Sequence, residues 1–327
     1  MNILVTGSAG HLGEAILRSL KGQGVQARGV DIKASAFTDH VGSITNREFV
    51  SNCLKNVYAV IHTATLHKPH IATHSNQNFI DTNVSGTLVL LEEAVAAGIN
   101  TFVYTSTTST FGAAMNPAAG EPAAWITEEV IPIPKNIYGV TKIAAENLCE
   151  MFARKHNLGI VILRTSRFFP EADDDAAVRG KYSAPNVQAN ELLYRRVEME
   201  DVVDAHILAV EKAKAIGFGR YIISATTPFT RDDLAMLHTN APEVVKRLFP
   251  DYEQLFAFQQ WTMFPHIDRV YVNSRARAEL GWQPKYDFAY VLQCLSEGID
   301  FRSRLSRDVG SKGYHDTVFE QGPYPVE

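Results

Sequence analysis

The chain has 327 residues, 46% of them hydrophobic and 20% charged, with a formal net charge of −5. That length accommodates one large or two modest domains with a substantial core, and the balance is that of a globular protein in water. Slight acidity supplies no basic footprint for nucleic acid and no polybasic arm for a membrane, and the scattered Cys53, Cys149 and Cys294 form neither a CxxC pair nor a zinc spacing.

Residues 1–6 form a short apolar run that reads as a strand, and Gly7, Gly10 and Gly13 follow it directly. Residues 14–20 then show helical spacing. Strand, glycine turn and helix in this order make a phosphate cradle. Gly7 permits the tight turn, Gly10 lets backbone approach a pyrophosphate, and Gly13 lets helix pack on strand. The helix start adds unpaired N–H groups and the positive end of its dipole. With no basic leader or long apolar run at this end, the expected compartment is the cytoplasm.

A second strand is expected over 25–30, and Asp31 closes it. A carboxylate at this distance from the glycines accepts hydrogen bonds from a ribose diol and repels a 2′-phosphate, which favours NAD over NADP. Residues 56–62 read as a buried parallel strand, 79–97 as a helix stopped by Gly98, and 101–105 as a strand. A helix over 138–156 and a strand over 160–163 follow. Such alternation predicts an α/β fold with a doubly wound parallel sheet. Beyond about residue 165 the pattern loosens. An irregular acidic loop is expected from 171 to 190, a strand over 195–199, a helix over 201–215 and a last sheet strand over 220–224. This divides the chain into a dinucleotide-binding core (1–165), a mixed, mainly substrate-binding region with segments returning to the core sheet (166–305) and an extended tail (306–327).

Tyr138 and Lys142 stand four apart on the predicted helix, so phenol and ammonium share a face. A lysine cation beside a phenol favours the phenolate and lowers its pKa, which proton transfer near neutral pH requires. Taken alone, such a pair is more often a solvated helix face. Here it accompanies a dinucleotide fingerprint and a run of hydroxyls, Thr105 to Thr110, at the C-terminal end of a parallel strand. Ligands bind at such ends in open α/β sheets.

With these motifs the chain resembles the extended short-chain dehydrogenase/reductases, the NAD-dependent epimerase/dehydratase superfamily, over roughly residues 1–300. Residues 6–13 resemble its cofactor loop, 83–87 its central helix motif and 104–112 its active-site strand. Residues 201–206 and 280–284 resemble later landmarks. The resemblance implies Thr107 as the catalytic hydroxyl, with Ser106 the adjacent alternative, Tyr138 as acid/base and Lys142 as the group that tunes it. It also implies NAD contacts from Gly7, Gly10, His11, Leu12, Gly13, Asp31, Ile44, Thr63, Ala64, Thr65, Asn83, Tyr138 and Lys142. The family's Gly-Asp-Ile adenine contact is Gly42, Ser43, Ile44 here. Its paired long helices imply a homodimer.

The substrate is expected to be a small sugar-like molecule with a secondary alcohol or ketone, touched by His67 and Thr108 and anchored by Arg195 or Arg196, whose forked guanidinium suits an anion. Dehydratases of the family follow the catalytic hydroxyl with an Asp-Glu pair, whereas Thr108 and Ser109 stand here. Its nucleotide-sugar enzymes carry a longer insert between the positions of Arg164 and Arg196, which favours a substrate without a nucleotide. UDP-sugar 4-epimerisation is the alternative, and a non-catalytic NAD-binding regulator the alternative of another class. His67 and His70 have metal-pair spacing but no third ligand nearby, so no metal is expected. The aromatics Phe256, Phe258, Trp261 and Phe264 read as core first and pocket wall second.

Overall fold

The computed structural model describes residues 2–313 and Phe319. Seven parallel strands form its sheet: β1 (Asn2–Thr6), β2 (Gln26–Asp31), β3 (His40–Val41), β4 (Val57–His62), β5 (Thr101–Thr107), β7 (Gly159–Thr165) and β8 (Phe218–Ile223). A short β6 (Ala124–Ile126) stands apart from them. The spatial order is β3-β2-β1-β4-β5-β7-β8. The chain winds outward in one direction from β1 to β3, then in the other from β4 to β8. The point of reversal lies between β1 and β4, where a crevice opens at the strands' C-terminal ends.

Burial on both faces explains the near-continuous apolar strands. On one face α1 (His11–Gly22) and α8 (Met199–Ile216) pack through Ile16, Leu17, Leu20, Val202, Val203 and Ala209. On the other, α2 (Arg47–Cys53), α4 (Gly86–Ala96) and α5 (Ile137–Lys155) cover Leu4, Val60, Phe102 and Ile160. The predicted 79–97 helix is composite. The α-turn Asn76–Phe79 passes through a π-helical stretch, Ile80–Ser85, before α4 begins. Such bulges frequently occur at functional sites, and this one carries Asn83.

Between 166 and 309 the structure departs from expectation in four places. The segment expected to be an irregular loop holds α6 (Ala176–Lys181), capped by Asp175, and α7 (Ala184–Glu191), capped by Ser183 with Pro185 in its first turn. The strand expected over 195–199 is a single bridge, Arg167 to Arg196, before α8 starts at Met199. Capping side chains on Asp175, Ser183 and Glu198 outweighed the weak strand alternation. Residues Arg304–Val309 are helical, so the extended segment begins later than 306; apart from Phe319, the rest of the expected tail lies outside the described residues. Phe258 is 86% exposed and belongs to no core, although Phe256 and Phe264 are buried. A second apolar cluster, around Leu193, Leu237, Val245, Phe256 and Phe288, supports the C-terminal region. There β9 (Arg269–Tyr271) pairs in parallel with β6.

Candidate active site

A cleft of about 960 Å³ runs across the C-terminal ends of β1, β4 and β5. One end is the glycine turn. Gly7 has φ of 75°, and a Cβ there would lie 2.8 Å from the Ala64 nitrogen. At Gly13 a Cβ would lie 2.0 Å from the Gly7 carbonyl oxygen, so helix and turn touch only because no side chain intervenes. Gly10 meets nothing but that same oxygen, at 3.2 Å, and borders the cleft. Asp31 sits beside this turn. Its Oδ2 accepts from the Ala9 amide at 3.0 Å and its Oδ1 from the Lys33 amide at 2.9 Å, leaving each oxygen a further lone pair. A cradle shut to side chains and a carboxylate with spare acceptor capacity fit a dinucleotide's pyrophosphate and ribose.

The rest of the expected cofactor wall is held from behind. Thr63 Oγ1 donates to the Thr6 carbonyl at 2.6 Å, and the Ala64 amide donates to Thr6 Oγ1 at 3.2 Å. Thr6 also bonds His62 Nδ1, whose Nε2 meets Thr87 Oγ1. Burial lowers the His62 pKa to about 3, so this ring is a neutral strut. His11, Leu12, Ile44, Thr63, Ala64 and Thr65 all line the cleft. Asn83 does not. Its Oδ1 accepts from Thr65 Oγ1 and the Leu66 amide, and its Nδ2 donates to the Leu66 carbonyl and Thr141 Oγ1. Asn83 thus staples loop 63–66 to α5 behind the cleft wall, with its side-chain oxygen and nitrogen both engaged.

Beyond the turn, β5 and α5 bring the hydroxyls together. Ser106 and Thr107 alternate across the strand, as the two-residue period requires. Ser106 Oγ donates to Glu146 Oε1 at 2.5 Å inside the protein, where Glu146 also pairs with Arg164 (2.7 Å) and Arg220 (3.0 Å). Thr107 faces Tyr138. Burial raises the phenol's pKa well above the ordinary tyrosine range, and the neighbouring Thr107 side chain offsets only part of that rise. Lys142 Nζ donates to the Thr105 carbonyl at 2.6 Å and lies 4.2 Å from the Tyr104 ring centroid. Burial lowers its pKa to about 7, against the opposing pull of Glu146 and Cys149. The lowered Tyr138 pKa expected from its helix neighbour is thus absent in the free protein. Desolvation of the phenol dominates there.

His67 packs edge-on at 5.0 Å from the Tyr138 ring and 4.9 Å from Phe169. Burial brings its pKa to about 3, so it is an uncharged wall beside the reacting end. Its backbone N–H bonds His70 Nδ1 at 2.8 Å, which turns the His-x-x-His spacing into a helix cap. Thr108 is buried on the same wall. The two candidate arginines part company. Arg195 lines the cleft, pairing with Glu191 at 2.7 Å. Arg196 is buried outside the cleft, with Nε on Glu191 at 2.8 Å and a terminal nitrogen on the Phe169 carbonyl at 3.0 Å. Its guanidinium is thus engaged by the protein itself.

Sequence reasoning missed Arg167, Glu171, Arg269, Tyr271 and Lys312, all of which border the cleft. The alternating Arg269-Val270-Tyr271-Val272 was legible as a strand with Arg269 and Tyr271 on one face, but nothing local placed that strand against β6. Glu171 accepts from the Ser311 hydroxyl and the Lys312 amide and pairs with His11 at 2.6 Å, and Lys312 Nζ reaches Glu14 at 2.5 Å. Residues near the end of the described chain thereby strap the glycine turn to the 171 loop. Although burial pushes the Glu171 carboxyl up, the His11 and Ser311 bonds hold it at about 2.

A family model described as the NAD dependent epimerase/dehydratase family matches residues 3–223. The UDP-glucose 4-epimerase of Rhizobium meliloti (strain 1021) is 27% identical over 334 residues, spanning 89% of this chain and 95% of that protein. A short-chain dehydrogenase/reductase superfamily protein from Agrobacterium tumefaciens, solved with bound NAD, superposes with a TM-score of 0.66 at 22% identity, over 91% of this chain and 96% of that one. The UDP-glucose 4-epimerase of Thermotoga maritima, solved with UDP-glucose, gives 0.63 at 23%, over 91% and 98%.

Proposed function

Because the chain belongs to the NAD-dependent epimerase/dehydratase family, an enzyme family of the extended short-chain dehydrogenase/reductase type, we propose that it moves a hydride between nicotinamide and a secondary alcohol or ketone of a sugar-like substrate. The observation that carries this reading is that Thr107, Tyr138 and Lys142 line one cleft together with the Gly7–Gly13 cradle and Asp31. Bound NAD supplies a hydride acceptor, or as NADH a donor, at nicotinamide C4. The chain's own residues do the rest. Thr107 orients the substrate oxygen. Tyr138, protonated in the free protein, gives its proton as phenol to a carbonyl being reduced and, as phenolate, takes one from an alcohol being oxidised. Lys142, one helical turn on, is the cation available to favour the phenolate. Neutral His67 and Phe169 keep the reacting end apolar.

Among the described residues no helix is long and apolar enough to cross a membrane. A cytoplasmic location and a homodimer complete the proposal; the dimer rests on exposed Ile80 and Val140 on the two long helices. UDP-sugar 4-epimerisation is the second reading. The Rhizobium relative favours it, and so do α6 and α7, which give segment 166–196 more ordered scaffold than an acidic loop would.

Calorimetric titration with NAD⁺ and NADP⁺ tests the cofactor, and Asp31 predicts tighter NAD⁺. Tyr138→Phe tests the chemistry: the variant folds and binds NAD⁺ but loses on the order of 10²–10⁴-fold in turnover. A near-normal rate removes Tyr138 from the reaction. With NAD⁺ present, thermal stabilisation by UDP-glucose but by no free sugar or sugar acid selects the second reading.

A further inference from the structure

The substrate half of the cleft contains more positive charge than its own carboxylates neutralise. Lys68 pairs with Asp174 at 2.9 Å, Arg167 with Asp173 at 2.8 Å, and Arg195 and Arg196 share Glu191. Arg269 has no carboxylate within 4.0 Å among the described residues. Its Nε is shut off from solvent yet meets no acceptor, and the Nε of Arg195 is in the same state. A guanidinium N–H buried without a partner costs on the order of 1–3 kcal/mol, more because the group is charged. That cost falls on atoms a ligand does not reach; what a ligand meets is the rest of the Arg269 guanidinium, which lines the cleft and has no hydrogen bond or ion pair among the described residues.

The fold brings the two together. The Tyr271 amide donates to the Tyr194 carbonyl at 3.0 Å, which seats β9 against the Tyr194–Arg195 corner. Arg195 and Arg269 both act electrostatically on Tyr194. Arg269 and Tyr271 share one strand face, the one that lines the cleft, while Val270 between them is fully buried. The Tyr271 hydroxyl reaches Met115 Sδ at 3.0 Å, on the segment that follows the Thr107 strand, so this face closes the wall across from the hydroxyl groups. Asp268, the nearest acid in sequence, is turned to His238 instead.

We propose that Arg269, with Arg195, is the specificity-determining pair of the cleft and takes an anionic group carried by the sugar itself, a carboxylate or a phosphate ester. This deepens the sugar-like reading above and rests on it for the reaction, not for the binding. The planar forks of two arginines match either oxyanion, and charge-assisted bonds of this kind are the strong ones. A neutral sugar would bring no counter-charge to the terminal nitrogens of Arg269, so the site discriminates against it.

The test uses the full chain with NAD⁺ and follows thermal shift and calorimetric affinity for galacturonate, glucose 6-phosphate, neutral galactose and UDP-glucose. The expected result is binding of galacturonate or glucose 6-phosphate well above galactose, with the preferred one naming the anion. Arg269→Gln then weakens that ligand on the order of 10–100-fold, Arg269→Lys by less, and neither changes NAD⁺ affinity. Equal binding of acid and neutral sugar overturns the proposal. So does an Arg269→Gln loss confined to UDP-glucose, which would put the guanidinium on a nucleotide diphosphate. If Arg269→Gln fails to fold, Arg269→Lys and the wild-type selectivity decide the matter alone. Anion selectivity without hydride transfer from any bound ligand to NAD⁺ would instead sink the proposed reaction and leave the anion site standing.

Discussion

Ser106 and Thr107 are chain neighbours whose hydroxyls serve opposite sides of one strand. Ser106 donates into the protein to Glu146 at 2.5 Å, and Thr107 turns to Tyr138 at the cleft. The pleat, not hydroxyl chemistry, assigns the roles. Thr107→Val is therefore expected to lose on the order of 10²-fold or more in turnover with little loss of NAD⁺ affinity, while Thr107→Ser retains most of the rate. Ser106→Ala should cost stability and keep the rate. Steady-state kinetics and urea unfolding on the three variants check this; a rate loss in Ser106→Ala larger than in Thr107→Val reverses the assignment.

Glu146 is the hub that frees Thr107 for this task. It is buried and receives Arg164, itself buried, together with Arg220 and Ser106. Removing one partner from a buried pair strands the other charge, which typically costs about 3–5 kcal/mol. Glu146→Ala should lose about that much in urea unfolding. A loss below about 1 kcal/mol would show that water or a neighbour satisfies Arg164 without it.

Most of the sheet was legible because its strands are buried on both sides and its helices carry helical spacing, signals written into each segment's own residues. The glycine cradle was legible for the same reason: Gly7, Gly10, Gly13 and Asp31 act through local backbone geometry. What could not be read depends on partners far away in sequence. Asn83 reads as a ligand residue, and only the fold brings Thr65, Leu66 and Thr141 around its side chain. Arg195 and Arg196 are equivalent in sequence, and only the approach of Glu191 and Phe169 separates them. Arg269 gains its meaning from β6, more than 140 residues earlier. The Tyr138–Lys142 spacing puts both side chains on one buried face of α5 but carries no measure of desolvation, and burial moves the phenol's pKa up, not down.

Lys142 ties stability to pH. Its pKa falls from the ordinary lysine value to about 7 on folding, through burial. Between about pH 7 and 10.5 the unfolded chain therefore binds a proton here that the folded chain does not. Stability from this group rises across that window and is lowest below it, where the ammonium is buried charged. Lys142→Met removes the effect. Its stability relative to wild type should be most favourable near pH 6 and decline steadily toward pH 10, while turnover collapses at every pH. Denaturant unfolding at a series of pH values reads this out. A difference that does not vary with pH would mean that Lys142 keeps an ordinary pKa.

Nine large apolar side chains are exposed among the described residues, and four lie in two connected places: Ile80 on the π-helical turn before α4, Val140 on α5, and Ile131 and Ile133 in the segment leading into α5. The proposed catalytic pair occupies the buried face of α5, so Val140, two residues from both Tyr138 and Lys142, necessarily points the other way. A helix whose inner face carries the chemistry and whose outer face is apolar gains by packing on a second copy. A stable interface needs roughly 800 Å² from each partner, an area these two helices can offer only together. The protein should therefore sediment as a dimer, and Ile80→Arg combined with Val140→Arg should give a monomer by placing charge in an apolar seam. If dimerisation buttresses α5, the monomer should also lose turnover. Wild-type protein that sediments as a monomer at all concentrations ends the dimer proposal; a double variant that stays dimeric moves the interface to another face.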